Sequence, residues 1–144
     1  MRPVIFLAID GVLAHAGSNE QLDRRCIAQL DRLIVHTRAK VLLTSAWRER
    51  HGVAGTEQRL FAAGFRGRLA GAIPSLPGRS RSQEIGAYLN TVARSLPFVI
   101  LDHAPVDGAL LPHLVHVDDR VGLTFADVSV AARLLGSPRR AFAS

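Results

Sequence analysis

Four polar residues stand where chemistry is easiest to build. Asp10 ends the apolar, β-favouring run from Val4 to Ile9, and Thr44 closes a second run that begins at Lys40. Asp102 follows a third run, Phe98 to Leu101, and Arg81 sits at a helix start after Pro77 and Gly78. Short apolar runs closing on a polar residue read as buried strands of a parallel sheet. In open α/β sheets, ligands bind beyond the carboxyl ends of the strands. Two carboxylates, a hydroxyl and a guanidinium gathered at that edge can hold Mg2+ and a phosphoryl group. A helix start adds a favourable field for the anion.

The elements that must position these groups follow from periodicity. Ser18 and Gln21 have capping-box spacing, and Leu22, Cys26, Leu30, Leu33 and Ile34 then recur at helical spacing, which predicts a helix between the first two strands. Cys26 lies in that apolar stripe and reads as a core thiol. Arg50 to Gly55 reads as loop, Thr56 as the cap of a short helix through Ala63, and Gly64 as its stop. Residues 65–77 read as irregular, with a short strand near Leu69 to Ile73. A helix is expected from Ser80–Ser82 to about Arg94, with Ile85, Tyr88, Leu89 and Val92 facing inward. Leu114 to Val117 reads as a further strand. Thr124 and Asp127 open a last helix ending near Gly136, and residues 137–144 read as a frayed tail. Strands alternating with helices predict one α/β domain over 1–144, a three-layer α/β/α sandwich on a mostly parallel sheet with right-handed crossovers.

Composition fits that class. The chain has 144 residues, 48% hydrophobic and 21% charged, which is ordinary for a globular domain. No apolar run approaches the ~20 residues of a membrane span. The single cysteine, Cys26, excludes an internal disulfide and makes a reducing cytoplasm the expected setting. The net charge of +6 is almost entirely arginine, Lys40 being the one lysine. Such a balance can attract RNA or DNA, although the arginines are spread along the chain.

The order of the four groups resembles the four signatures of haloacid dehalogenase-like (HAD) phosphohydrolases. Residues 4–13, VIFLAIDGVL, resemble D-x-D-G-x-L with Ala8 at its first aspartate. Residues 40–48, KVLLTSAWR, resemble the second signature of a subgroup with strand-S/T-S-x-W-R. Arg81 to Leu89 resembles the third and Phe98 to Asp102 the fourth, while Val121-Gly122-Leu123-Thr124 matches that subgroup's G-L-T. The subgroup is the small HAD domains associated with nucleic-acid, especially RNA, end repair. The resemblance implies a Mg2+-dependent phosphomonoester hydrolase. In it Ala8 takes the position of the nucleophile and Asp10 is the general acid/base, with its backbone carbonyl on the metal. Thr44 bonds the phosphoryl oxygens, Arg81 neutralises their charge and Asp102 is the acidic Mg2+ ligand. His103 stands where the family often has a second acid, so Asp107 is the nearer substitute. Gly11, Ser45, Arg48 and Arg79 complete the candidate substrate-binding set, Arg79 also rivalling Arg81.

Plainer roles compete at several positions: Arg81 pairing with Glu84, Arg48 with an internal acid, Trp47 in the core, His113 and His116 as structural or surface residues. A response-regulator receiver is excluded because its phosphoacceptor aspartate precedes its threonine, whereas Thr44 precedes Asp102. No G-x-x-x-x-G-K-[ST] or G-x-G-x-x-G pattern follows a strand. The slot from Ala14 to Ser18 is too short for a lid, and that from Trp47 to Arg79 holds about one helix, so a phosphorylated polynucleotide end can reach the crevice. Ala8 has two explanations: a deliberately disabled enzyme, or a natural pseudoenzyme that binds phosphorylated ends without turnover. The sequence names no protein partner.

Overall fold

The structure is a computed structural model, and it describes residues 2–136. Five strands form one parallel sheet: β1 (Val4–Leu7), β2 (Lys40–Leu43), β3 (Gly71–Ala72), β4 (Phe98–Asp102) and β5 (Leu114–His116), in the order β3-β2-β1-β4-β5. Leu7 lies level with Leu43 on one side and with Leu101 on the other. The strand alternation sorts the apolar side chains onto two faces. Ile5, Leu7, Val41, Leu43, Val99 and Leu101 enter the larger core, and Phe6, Leu42 and Ile100 the smaller.

Helices α1 (Arg24–Thr37), α3 (Gly52–Ala62) and α5 (Phe125–Leu134) cover the larger core through Ile27, Leu30, Leu60, Val128 and Ala131. Helix α4 (Arg81–Leu89) covers the other face through Ile85, and Phe6 meets Tyr88 and Phe98 edge-on at 5.8 and 5.7 Å. The helices change face when winding reverses after β3, as crossovers of one hand require. The result is the expected three-layer α/β/α sandwich. Winding outward from β1 to β3 and then crossing to β4 puts the topological switch between β1 and β4, where a ligand crevice forms.

Local predictions fail where side chains found other partners. Asp23, not Ser18, caps α1, its Oδ1 accepting from the Arg25 amide at 2.8 Å. Ser18 instead donates to the Gln21 carbonyl at 3.4 Å, and Asn19 and Glu20 turn the chain with φ of 56° and 66°. The predicted loop at 50–55 is helical: α2 (Trp47–Arg50) leads into α3 across a break at Gly52, whose φ is 68°. Thr56 is therefore inside α3, buried and donating to the Trp47 carbonyl, and does not cap it. Helix α4 stops at Leu89, short of Arg94, with Asn90 as its cap residue. The Ser80 capping box and the Thr124–Asp127 box both form. The predicted tail, 137–144, lies outside the described residues. Among the described residues no helix is long and apolar enough to cross a membrane.

Candidate functional site

Because Leu7, Leu43 and Leu101 are level, the residues that follow them form a row at the sheet's carboxyl edge: Thr44, Ala8, Asp102. Backbone bonds fix the row, Thr44 N–H donating to Leu7 O at 3.0 Å and Ala8 N–H to Leu101 O at 3.1 Å. Beyond Ala8 the chain leaves the sheet in a tight loop, with Val12, Leu13 and Ala14 amides all donating to the Ile9 carbonyl. Gly11 is required in that loop. Its φ is 81°, and a Cβ there would lie 2.4 Å from His103 Nδ1 and 3.1 Å from Asp119 Cβ.

Asp102 is fully buried and doubly held. Arg81 Nη1 donates to its Oδ2 at 2.6 Å and the Ala104 amide to its Oδ1 at 3.0 Å. His103 Nδ1 stands 3.4 Å from Oδ1 and makes no hydrogen bond. Asp10 is half exposed; Oδ1 accepts from Trp47 Nε1 and Oδ2 from Arg50 Nη2, both at 3.1 Å. Arg50 also pairs with Glu20 at 2.6 Å, and Glu20 meets His51 Nε2 at 3.1 Å. Thr44 Oγ1 is buried with no hydrogen-bond partner among the described residues. A buried hydroxyl left unpaired is costly, so Thr44 Oγ1, like His103 Nδ1, is a buried polar atom at this edge without a hydrogen-bond partner among the described residues.

The other predicted site residues divide. Ser45 Oγ accepts from the Trp47 amide at 3.1 Å and so opens α2. Arg48, expected at the substrate, has a buried side chain that donates to Glu84 Oε1 at 2.6 Å and to the Ile73 carbonyl at 3.1 Å. Glu84 therefore pairs with Arg48, and Arg81 is the arginine that reaches the edge. Arg79 is exposed in a separate shallow hollow with Leu76, Pro77, Gln83 and Ala87. Asp107, expected at the metal, is exposed, and its amide donates to Ser82 Oγ at 3.0 Å. The bond to Ser82 ties its loop to α4. Sequence reasoning missed Arg50, Glu20 and Asp119. An indole buried beside a carboxylate was the available signal for the Asp10 cluster, since a buried Trp N–H needs an acceptor.

From residue 4 to residue 128 the chain matches the family described as the HAD domain in Swiss Army Knife RNA repair proteins. The chain belongs to that family. No curated protein and no solved structure matches it significantly. The family match supports a phosphatase-type architecture for this domain.

Mg2+ is the usual metal of HAD domains, and the donors present decide whether this one can hold it. Mg2+ asks for near-octahedral oxygen ligands at about 2.0–2.1 Å, commonly with one or two carboxylates. Here position 8 supplies a methyl group instead of a carboxylate, and the buried Asp102 already has a cation beside it, Arg81 Nη1 at 2.6 Å from its Oδ2. Among the described residues, the one grouping of three His, Cys, Asp or Glu ligand atoms within 4.8 Å is His15, Asp23 and Cys26, at the start of α1. That grouping has its own structural explanation. His15 Nε2 bonds Asp23 at 2.6 Å, Asp23 caps α1, and burial with the nearby Asp23 charge pushes the Cys26 thiol up to about 11. The edge of this HAD domain does not fit Mg2+ as the chain stands.

Proposed function

We propose that this HAD domain receives the terminal phosphomonoester of a nucleic acid, on an architecture for Mg2+-dependent hydrolysis whose attacking carboxylate is missing. The observation that carries the reading is the row Thr44–Ala8–Asp102, with an unpaired buried hydroxyl on one side of Ala8 and an arginine-bound acid on the other. A phosphoryl group seated over Ala8 would accept from Thr44 Oγ1 and lie beside the Arg81 guanidinium, which offsets charge on its oxygens. Asp10, held by Trp47 and Arg50 and half exposed, would give a proton to the leaving oxygen and later take one from water. The methyl of Ala8 cannot attack phosphorus. Loss of the nucleophile lowers turnover by roughly 10^4 to 10^6, by analogy with other knock-outs, or roughly 5–8 kcal/mol of barrier.

Three features support a nucleic-acid end as the ligand. The family is named for RNA repair proteins. The net charge of +6 favours a polyanion. The segment in which a lid could sit instead forms α3, whose Leu60 is buried against the sheet face, which supports access for a bulky end. The test is Ala8→Asp assayed with Mg2+ on a generic phosphomonoester and on oligonucleotides with terminal phosphates. The substituted protein should hydrolyse both, the oligonucleotide faster than a sugar phosphate, while the present chain is nearly inert. An inactive Ala8→Asp protein that is folded would sink the enzyme ancestry of the site.

A further inference from the structure

The strand edge of this chain is arranged for an anion more than for a cation. Its one buried carboxylate, Asp102, has both oxygens bonded. Arg81 uses one Nη on Asp102, and its remaining N–H groups have no hydrogen-bond partner among the described residues. A guanidinium carries five donors, so most of them stay available while the side chain is anchored. It is one third exposed. Thr44 Oγ1, buried and unpaired, supplies a further donor. Asp119 lies beside Gly11, and no three of Asp10, Asp102, His103 and Asp119 bring ligand atoms within 4.8 Å of one another.

Resting on the phosphomonoester reading above, we propose that the chain as it stands binds a terminal phosphomonoester without a divalent cation. A phosphomonoester carries a charge of nearly −2 at neutral pH. A carboxylate at position 8 would face that charge at contact distance, and a divalent cation would be needed to cancel the repulsion. Ala8 removes the repulsion and the need together. Phosphate oxygens then take Thr44 Oγ–H and the open N–H groups of Arg81, with Asp102 keeping the guanidinium in place. Arg81 and Thr44 are binding residues here, and no covalent step is involved.

Calorimetry can test this with short RNAs phosphorylated at the 5′ or the 3′ end and the same RNAs ending in hydroxyls, in EDTA and in Mg2+ at matched ionic strength. Counterion release is shared by each pair, so the affinity ratio isolates the terminal phosphate. One phosphorylated RNA should bind at least ~10-fold tighter than its hydroxyl partner, with a ratio that Mg2+ changes by less than ~3-fold. A ratio that exists only in Mg2+ overturns metal-free binding and leaves the phosphomonoester reading intact. A ratio of one in both media overturns that reading itself. In Ala8→Asp the ratio in EDTA should fall by ~10-fold and return with Mg2+; a ratio kept in EDTA overturns the charge argument. If that variant does not fold, the comparison on the unmodified chain decides alone.

Discussion

Arg48→Ala should destabilise the domain by about 3–5 kcal/mol, the usual consequence of leaving one partner of a buried ion pair alone. The side chains of Arg48 and Glu84 are 8% and 7% exposed and meet at 2.6 Å. Arg48 Nη1 also donates to the carbonyl of buried Ile73 at 3.1 Å, so truncation strips a donor from that oxygen too. The Leu76 amide, 2.8 Å from Glu84 Oε2, stays in place and keeps the loss from being larger. Against a total stability of about 5–15 kcal/mol, this is a major fraction. Urea denaturation followed by the fluorescence of Trp47, the one tryptophan and itself buried, reads the change directly. Arg48→Met combined with Glu84→Leu should recover most of the loss, because neither charge then remains buried. A loss below about 1 kcal/mol, typical of an exposed ion pair, together with weakened binding of phosphorylated RNA, would refute the structural role and return Arg48 to the substrate.

Gly11→Ala should cost about 1–2 kcal/mol from its left-handed conformation alone, and more because its methyl would meet the His103 ring; a neutral Tm would contradict the loop geometry. At Asp23, burial pushes the carboxyl up, but hydrogen bonds from His15 and the Arg25 amide outweigh it and hold the pKa below the ordinary 3.8. A lowered folded value means stability present above the unfolded pKa and lost as pH falls through the folded one. The stability advantage of the natural chain over Asp23→Asn should therefore shrink as pH falls below the ordinary value of 3.8 in denaturant titrations, and growth over that range would overturn the sign. Thr44→Val should leave stability unchanged or raise it by up to about 1 kcal/mol, since it replaces an unpaired buried hydroxyl. The same change should erase the preference for phosphorylated RNA. A clear loss of stability would mean that the hydroxyl has a structural task.

The strands and the order of the site residues were legible because they rest on local signals. A run such as Phe98 to Leu101 has few alternatives to a buried strand, and Asp102 marks its end. Helix boundaries were harder where capping had competitors. Ser18 and Gln21 have the right spacing, yet Asp23 lies next to the apolar stripe and its carboxylate wins the amide of Arg25. Residues 50–55 hold two glycines and read as loop from propensity alone, but the helix there is carried by the burial of Leu60 and Thr56, which is tertiary. The choice between Arg48 and Arg81 could not be made from spacing. Both lie near acids in sequence, and only the fold sends Arg48 to Glu84 and Arg81 to Asp102.

Convergence of polar groups is weaker grounds for function than it looks from sequence, because most of those at this edge satisfy one another. Asp102 needs Arg81, since a fully buried carboxylate without a cation would be expensive. Asp10 gives the buried indole of Trp47 its acceptor and gives Arg50 a counter-charge. These pairs would be kept by folding alone, whether or not the domain ever meets a phosphate. Thr44 is different. Valine would fill the same space without a lost hydrogen bond, so the fold has no need of its hydroxyl, and yet Thr44 stands beside Ala8 in the row at the carboxyl edge of the sheet. Thr44→Val is therefore the substitution that separates a receptor from a relic: it should keep the fold and lose the preference for phosphorylated RNA.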